Sequence, residues 1–218
     1  MSQENPIKAK QSKSRYHHGD LRSTLLNAAS DLLKETGIEG LSLRKLADKV
    51  GVSRTASYHH FTDKNQLLCA IAEQGFMRWQ QDALAIFGQS GLSPKEKYRQ
   101  FFHGYISYAA DNPEMYDLMF GRTIWKQNSA TNELRDVAYP SFNHQVEMTK
   151  QWQAQGLMPN TEDTLRLSQV TWGTMHGIAR LLIDGIYADR SHIDEMCDCA
   201  VNLFTQNITP PNQINEAD

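Results

Sequence analysis

Residues 42–64, SLRKLADKVGVSRTASYHHFTDK, constrain the fold of this chain more than any other stretch. Leucine, alanine and valine recur there at helical spacing until Gly51, a residue that tolerates the positive φ at which helices often end. Ser42 and Ser53 each stand where a hydroxyl can accept from the free N–H groups of a first helical turn. The pattern predicts two short helices joined by a tight turn.

The second of these helices carries polar side chains beside two aromatic residues. We expect Tyr58 and Phe61 to be buried, and the small Ala47 of the first helix to let the pair cross closely. Such a helix-turn-helix can place its second helix in a DNA major groove, which is about 12 Å wide. The polar side chains that could then reach base edges and phosphates are Arg54, Thr55, Ser57, His59 and His60.

The residue identities in this stretch resemble a known DNA-binding signature. Leu-Ser-Leu-Arg-Lys-Leu-Ala at 41–47, Gly-Val-Ser-Arg at 51–54, Tyr-His-His-Phe at 58–61 and Lys64 resemble that of the tetracycline-repressor (TetR) family. The resemblance is close over about residues 20–68, whereas the rest of the chain matches in length and helical character. It implies a sequence-specific DNA-binding transcriptional regulator, and within that class a repressor released from its operator by a small-molecule effector.

The resemblance also implies which side chains contact DNA. We expect Tyr58 and Lys64 to support binding to every sequence, and Thr55 and His59 to set base preference. One departure is Ser57, since the family usually has a larger apolar residue at that position. The full set expected at the DNA is Ser42, Arg44, Arg54, Thr55, Ser57, Tyr58, His59, His60 and Lys64.

Charge is distributed unevenly along the chain, whose net charge is only −3. Residues 1–66 hold eleven Lys and Arg against seven Asp and Glu, whereas residues 67–218 hold eleven against eighteen. A basic end on an acidic body presents one face to a polyanion and keeps the other away from it. The distribution therefore suggests DNA binding, although the net charge by itself does not.

We predict an all-α chain with two helical domains between two tails. Residues 1–19 are expected to be a flexible basic tail, and residues 20–66 a three-helix DNA-binding domain. Residues 67–207 are expected to form a larger ligand-binding and dimerisation domain, followed by a flexible tail at 208–218. The basic tail has two open interpretations: a solvated tail or cloning remnant, or an arm that adds phosphate contacts.

Helix ends are predicted from the residues that start and stop helices. Gly37 should stop the helix at 20–35, and Thr62 should cap the helix that follows Phe61. A later helix at about 131–155 contains Pro140, which must kink or divide it because proline lacks an N–H.

The second half of the chain is rich in aromatic and methionine residues, for which two interpretations stay open. They could simply fill a core, or they could line a mostly apolar pocket with a few polar groups that orient a ligand. The chain could alternatively be a DNA-binding protein of the same fold whose second domain binds a protein partner and not a small molecule. The residues expected to bind a ligand are Phe102, Tyr105, Met119, Trp125, Trp172 and His176.

The long helix predicted at 161–185 is apolar on more than one face, so several sides should be buried. Gly173 and Gly177 lie one turn apart and would let another helix approach closely. The Trp172, His176 and Gly177 pattern resembles that of a TetR subgroup with a Trp-His-Gly motif. We expect a homodimer through this helix and the one at 191–207, bound to a palindromic operator, because one short helix reads too few base pairs.

Several classes of protein are disfavoured by what the sequence lacks. No acid, base or nucleophile constellation suggests an enzyme, and no zinc spacing or phosphate-binding glycine loop suggests a cofactor or metal. The three cysteines, Cys69, Cys197 and Cys199, have no paired spacing, so inert thiols are favoured over a redox sensor. Without an apolar run long enough for a membrane span or a signal peptide, we expect a cytoplasmic protein.

Overall fold

The computed structural model describes residues 18–126, 128–187 and 189–205, and no β-strand occurs in these ranges. The all-α prediction is confirmed there. The helices are α1 (His18–Gly40), α2 (Leu43–Val50), α3 (Arg54–His60), α4 (Lys64–Phe87), α5 (Pro94–Asp111), α6 (Pro113–Phe120), α7 (Arg122–Trp125), α8 (Asn132–Ala154), α9 (Thr164–Ile183) and α10 (Ile193–Phe204), with a 3₁₀ turn at Arg190–His192 before the last.

The turn between α2 and α3 forms as the serines and the glycine predict. The hydroxyl of Ser42 accepts from the Lys45 N–H at 3.2 Å, and that of Ser53 accepts from the Ala56 N–H at 3.1 Å. Gly51 ends α2 with φ 74° and ψ 31°, a left-handed conformation that a side chain would strain. The helix-turn-helix is therefore fixed by hydrogen bonds local to its own sequence.

The start of α4 differs from the prediction by one residue. Asp63, and not Thr62, is the cap, since its carboxylate accepts from the Gln66 N–H at 2.8 Å. The Gln66 side chain accepts in return from the Thr62 N–H at 2.6 Å. This reciprocal pair of hydrogen bonds fixes the turn by which α3 leads into α4.

Helices α1 and α8 each contain a residue expected to stop or divide a helix. Gly37 has φ 66° and ψ −179° and interrupts α1, but helical structure resumes and ends at Gly40. Helix α8 runs from Asn132 to Ala154 through Pro140, so the proline does not divide it. Because proline has no N–H, the carbonyl of Asp136 lacks its usual helical donor.

Helix α4 connects the two halves of the core. Helix α2 packs on α1 and α3, and α1 packs on α4 and α6, while α4 also contacts α5, α6, α7 and α8. Helix α5 packs between α9 and α10, and α8 packs on α9. The predicted domain boundary at 66–67 falls inside α4, so the division into domains stays a prediction.

The two predicted tails lie at the ends of the chain, and the described residues run from 18 to 205 with gaps at 127 and 188. The predicted tails at 1–19 and 208–218 lie outside this range, apart from the first two residues of α1, so the proposed DNA-contacting arm is outside the described residues.

None of the helices in the described ranges combines the length and hydropathy that a membrane-spanning segment needs.

Candidate DNA-binding surface and ligand cavity

The outer face of α3 presents four of the side chains expected at DNA. Arg54, Thr55, Tyr58 and His59 are all exposed. The expectation that Tyr58 is buried is wrong, since it is 54% exposed, whereas Phe61 at 1% occupies the buried position. A large exposed aromatic side chain on a short helix offers both a ring and a hydroxyl to a partner surface.

Ser57 is a correction to the predicted DNA-contacting set, because its side chain is fully buried. Its hydroxyl donates to the carbonyl of Arg54 at 2.8 Å and lies 3.5 Å from the carbonyl of Leu43 on α2. It therefore lies on the face of α3 that packs on α2. The TetR family, which this sequence resembles, usually has an apolar residue at position 57, and that preference already indicated a buried position.

The remaining predicted DNA-contacting residues surround α3. Arg44 is exposed on α2, whereas His60 and Lys64 are partly exposed at the end of α3 and the start of α4. The hydroxyl oxygen of Ser42 already accepts from the Lys45 N–H at the start of α2. A DNA phosphate could bind the Ser42 hydroxyl only while that hydrogen bond is kept.

Positive charge near α3 is not fully paired within the chain. Lys49 forms an ion pair with Glu35 at 2.7 Å. Arg44, Arg54 and Lys64, in contrast, form no ion pair with any residue in the described ranges. These three cations flank the exposed face of α3 and remain available to phosphates.

An apolar cavity of about 360 Å³ lies among helices α4 to α9. Its wall contains no Asp, Glu, Lys or Arg, and the polar groups among its lining residues belong to Tyr105, Tyr139, Ser141, Gln145 and the tryptophan indoles. The lining residues are Phe76, Trp79, Tyr105, Met119, Phe120, Trp125, Ala138, Tyr139, Ser141, Phe142, Gln145 and Trp172. Such a wall suits an uncharged molecule with a large apolar surface.

Four of the six predicted ligand-binding residues, Tyr105, Met119, Trp125 and Trp172, line this cavity. Phe102 does not, because it points into the core and is fully buried. His176 does not line it either. It borders a separate cleft of about 410 Å³.

A chain of hydrogen bonds links the cavity wall to His176. The Trp172 indole N–H donates to the Tyr105 hydroxyl at 3.1 Å, which lies 2.9 Å from the Tyr116 hydroxyl. The Tyr116 hydroxyl lies 2.6 Å from Nδ1 of His176. The chain ties α5, α6 and α9 together, and it satisfies polar groups that would be costly to bury unpaired.

Burial determines the ionisation of this chain. It raises the pKa values of Tyr105 and Tyr116, so both stay neutral. Burial, and secondarily the positive charge of Arg180, lowers the pKa of His176. Arg180 itself is held by ion pairs to Asp117 and Asp184.

The three cysteines differ in burial. Cys69 and Cys197 are buried, and burial raises the pKa of both thiols, that of Cys197 to about 12. Cys199 is exposed on α10. No group of three or more His, Cys, Asp or Glu side chains in the described part of the chain could hold a metal ion.

Helices α9 and α10 leave apolar surface uncovered. Val170 on α9 is 58% exposed and Leu203 on α10 is 74% exposed. Gly173 and Gly177 lie near Val170 on the same face of α9, and a β-carbon added to either would meet nothing within 4 Å. Packing within the chain therefore gives no reason for two glycines in the middle of this helix.

Two family profiles match the chain and together cover well over half of it. The profile described as "Bacterial regulatory proteins, tetR family" matches residues 25–71. The profile described as "Tetracyclin repressor-like, C-terminal domain" matches residues 98–204. The matched ranges contain the helix-turn-helix and most of the cavity wall, respectively.

Two individual bacterial repressors are similar to parts of this chain. The chain is 51% identical over 51 residues to the tetracycline repressor protein class A from transposon 1721 of Escherichia coli, covering 23% of this chain and 24% of that protein. It is 31% identical over 98 residues to the transcriptional repressor AcnR of Corynebacterium glutamicum, 45% of each chain. The matches thus span less than half the length of these curated relatives.

The likeness to a solved structure covers nearly the whole chain. A protein of unknown function from Rhodococcus sp. RHA1 has a TM-score of 0.77 and 30% sequence identity. The match covers 89% of this chain and 100% of that one. The fold is therefore shared over both the helix-turn-helix and the cavity region.

The lowered pKa of His176 predicts a pH dependence of stability. In the unfolded chain His176 takes up a proton near its ordinary pKa of 6.5, whereas in the folded chain it does so only at lower pH. The contribution of neutral His176 to the free energy of unfolding is therefore fully present above pH 6.5 and is lost as the pH falls toward the lowered pKa. His176→Gln should reduce the difference in denaturant midpoint between pH 7.5 and pH 5. The control is His59→Gln, at an exposed histidine of α3, which should leave the pH dependence unchanged. Equal pH dependence in wild type and His176→Gln would contradict the assignment.

Proposed function

Because the chain belongs to the TetR family of bacterial transcriptional regulators, we propose that it represses transcription by binding an operator through α3. We also propose that a small molecule in the apolar cavity releases it. The observation that carries the DNA-binding proposal is the exposed face of α3, flanked by three cations that lack an ion pair within the described residues. The cavity carries the effector proposal, and it favours a small molecule over a protein partner for the second half of the chain.

Base reading by α3 follows from which side chains are exposed. Thr55 and His59 can reach base edges, while Arg44, Tyr58 and Lys64 can hold the phosphate backbone. Helix α3 has only seven residues, so one copy contacts few base pairs. Each well-made contact discriminates by about 1–3 kcal/mol, and a selective regulator therefore needs two copies on one site.

We propose that the second copy is supplied by a homodimer through α9 and α10. Regulators of this family form dimers, and the uncovered Val170 and Leu203 supply apolar surface for the contact. The open space beside Gly173 and Gly177 would let the partner's helix approach closely. Two-fold symmetry then requires a palindromic operator with half-sites about 34–36 Å apart, or a multiple of that spacing.

Release by a ligand requires a mechanical link from the cavity to α3. Helix α4 begins soon after α3 ends, and near its middle it supplies Phe76 and Trp79 to the cavity wall. Helix α6 supplies Met119, whose sulfur would lie 2.6 Å from a β-carbon at Gly75 of α4. A ligand that displaces Met119 therefore presses directly on α4 and changes the separation of the two α3 helices.

Side chains on the α3 face should affect DNA binding in two distinct ways. With a duplex selected from a random pool, Tyr58→Ala and Lys64→Ala should weaken binding to specific and non-specific DNA alike, with Lys64→Ala lowering the salt slope by about 1. Thr55→Ala and His59→Ala should instead change the selected base sequence.

Lys150→Ala, at an exposed lysine of α8, is the matched control and should leave affinity unchanged. Unaltered operator affinity after replacement of both Tyr58 and Lys64 would contradict the assignment. Selection of a sequence without a palindrome would contradict the symmetric dimer.

Effector release predicts that cavity binding and DNA binding oppose each other. A compound that quenches the fluorescence of Trp79, Trp125 and Trp172 should weaken operator binding by about 5–150-fold, the range of typical coupling energies. The measurement is a titration of labelled operator at fixed compound concentration. If every compound that binds the cavity left operator affinity unchanged, the release mechanism would be refuted.

The dimer contact is tested at a glycine of α9. Gly177→Leu replaces a poor helix former, which should stabilise the isolated helix by about 1 kcal/mol. The new leucine side chain would, however, block the close approach of the partner's helix. We expect monomers with full helicity in sedimentation analysis, and an intermediate result for Gly177→Ala.

Gly104→Ala serves as control, since that methyl group meets Ile86 on the same chain at an ordinary 3.7 Å. A fully dimeric Gly177→Leu protein would place the contact elsewhere.

A further inference from the structure

A second, much smaller cavity adjoins the large one. Its volume is about 20 Å³, and Trp79, Ser141 and Gln145 line both cavities. A space of about 10–15 Å³ is enough for one water-sized group. The small cavity therefore has room for a single polar group, such as a hydroxyl or carbonyl oxygen.

The small cavity is lined by a histidine whose ring nitrogen has no partner. Nε2 of His144 is buried and makes no hydrogen bond to any residue in the described ranges. The imidazole packs against Phe87, with ring centroids 5.7 Å apart. Since a buried polar atom is stable only when it is paired, this nitrogen identifies where a hydrogen-bonding group belongs.

The neighbouring polar groups are neutral. Gln145 uses its amide nitrogen toward the Ser168 carbonyl and the Thr171 hydroxyl, each at 3.4 Å, which leaves its amide oxygen as an acceptor. No Asp, Glu, Lys or Arg lines either cavity. An ionised group on a ligand would therefore meet no Asp, Glu, Lys or Arg side chain in either cavity, and burying it there would be costly.

We propose that the effector is an uncharged aromatic compound with a hydrogen-bonding oxygen at one end. Its ring system fills the large cavity, where the aromatic walls supply stacking and edge-to-face contacts. Its hydroxyl or carbonyl oxygen passes beside Trp79 and Gln145 and pairs with Nε2 of His144. This inference rests on the proposed function of the large cavity and adds the chemical class of its ligand.

Three biphenyls that differ only in one terminal group provide the test: biphenyl, 4-hydroxybiphenyl and biphenyl-4-carboxylate. Binding is measured by tryptophan fluorescence quenching and by equilibrium dialysis. We expect 4-hydroxybiphenyl to bind about 2- to 12-fold more tightly than biphenyl, which is the ratio that one net hydrogen bond provides. The carboxylate should bind more weakly than both.

His144→Phe should remove the preference for the hydroxyl while leaving the affinity for biphenyl unchanged. His144→Gln, which retains a hydrogen-bonding side chain, should restore part of the preference. His103→Phe, at a half-exposed histidine of α5 outside both cavities, is the matched control and should retain the full preference. Operator binding without ligand reports that each variant is folded.

The outcomes separate this inference from the function on which it rests. If biphenyl and 4-hydroxybiphenyl bind equally, the cavity proposal stands and the His144 subsite is overturned. Tightest binding of the carboxylate, or a hydroxyl preference that survives in His144→Phe, also overturns the subsite. If none of the three compounds binds, the cavity proposal fails together with the inference.

Discussion

Helix α4 buries apolar side chains along most of its length, and the rest of the structure depends on that burial. Near its start, Leu67, Leu68 and Ile71 are buried in the core that also holds α1. Two turns later, Phe76 and Trp79 form part of the cavity wall. Helix α4 therefore belongs both to the core that holds α1 and to the wall of the cavity, and the proposed release mechanism depends on this continuity.

The local features of the helix-turn-helix could be predicted because each depends on a few neighbouring residues. The caps at Ser42 and Ser53 and the left-handed turn at Gly51 need only hydrogen bonds within one turn. The burial of Ser57 was indicated only by the family resemblance, and the exposure of Tyr58 was not indicated by its neighbouring residues. They depend on how α3 is rotated about its axis against α2, which the packing of the whole helix pair decides.

The cavity shows a similar division between what composition suggests and what packing decides. The abundance of aromatic residues indicated a pocket, but nothing in the sequence distinguished Phe102, which points into the core, from Phe120, which lines the cavity. His176 was identified from a motif, whereas its position in a hydrogen-bond chain outside the cavity depends on Tyr116, sixty residues earlier. His144 carried no sequence signal, because its unpaired nitrogen becomes apparent only once its surroundings are packed.

Pro140 gives the wall of the cavity an unequal stiffness. It lies in α8 between Tyr139 and Ser141, both of which line the cavity, and the backbone ladder lacks one hydrogen bond at this turn. The walls formed by α5 and α9, in contrast, are cross-linked by the Trp172–Tyr105 hydrogen bond. In the proposed ligand complex, compounds of different bulk would be accommodated by local deformation of α8 at this turn, while the cross-linked walls of α5 and α9 keep their shape.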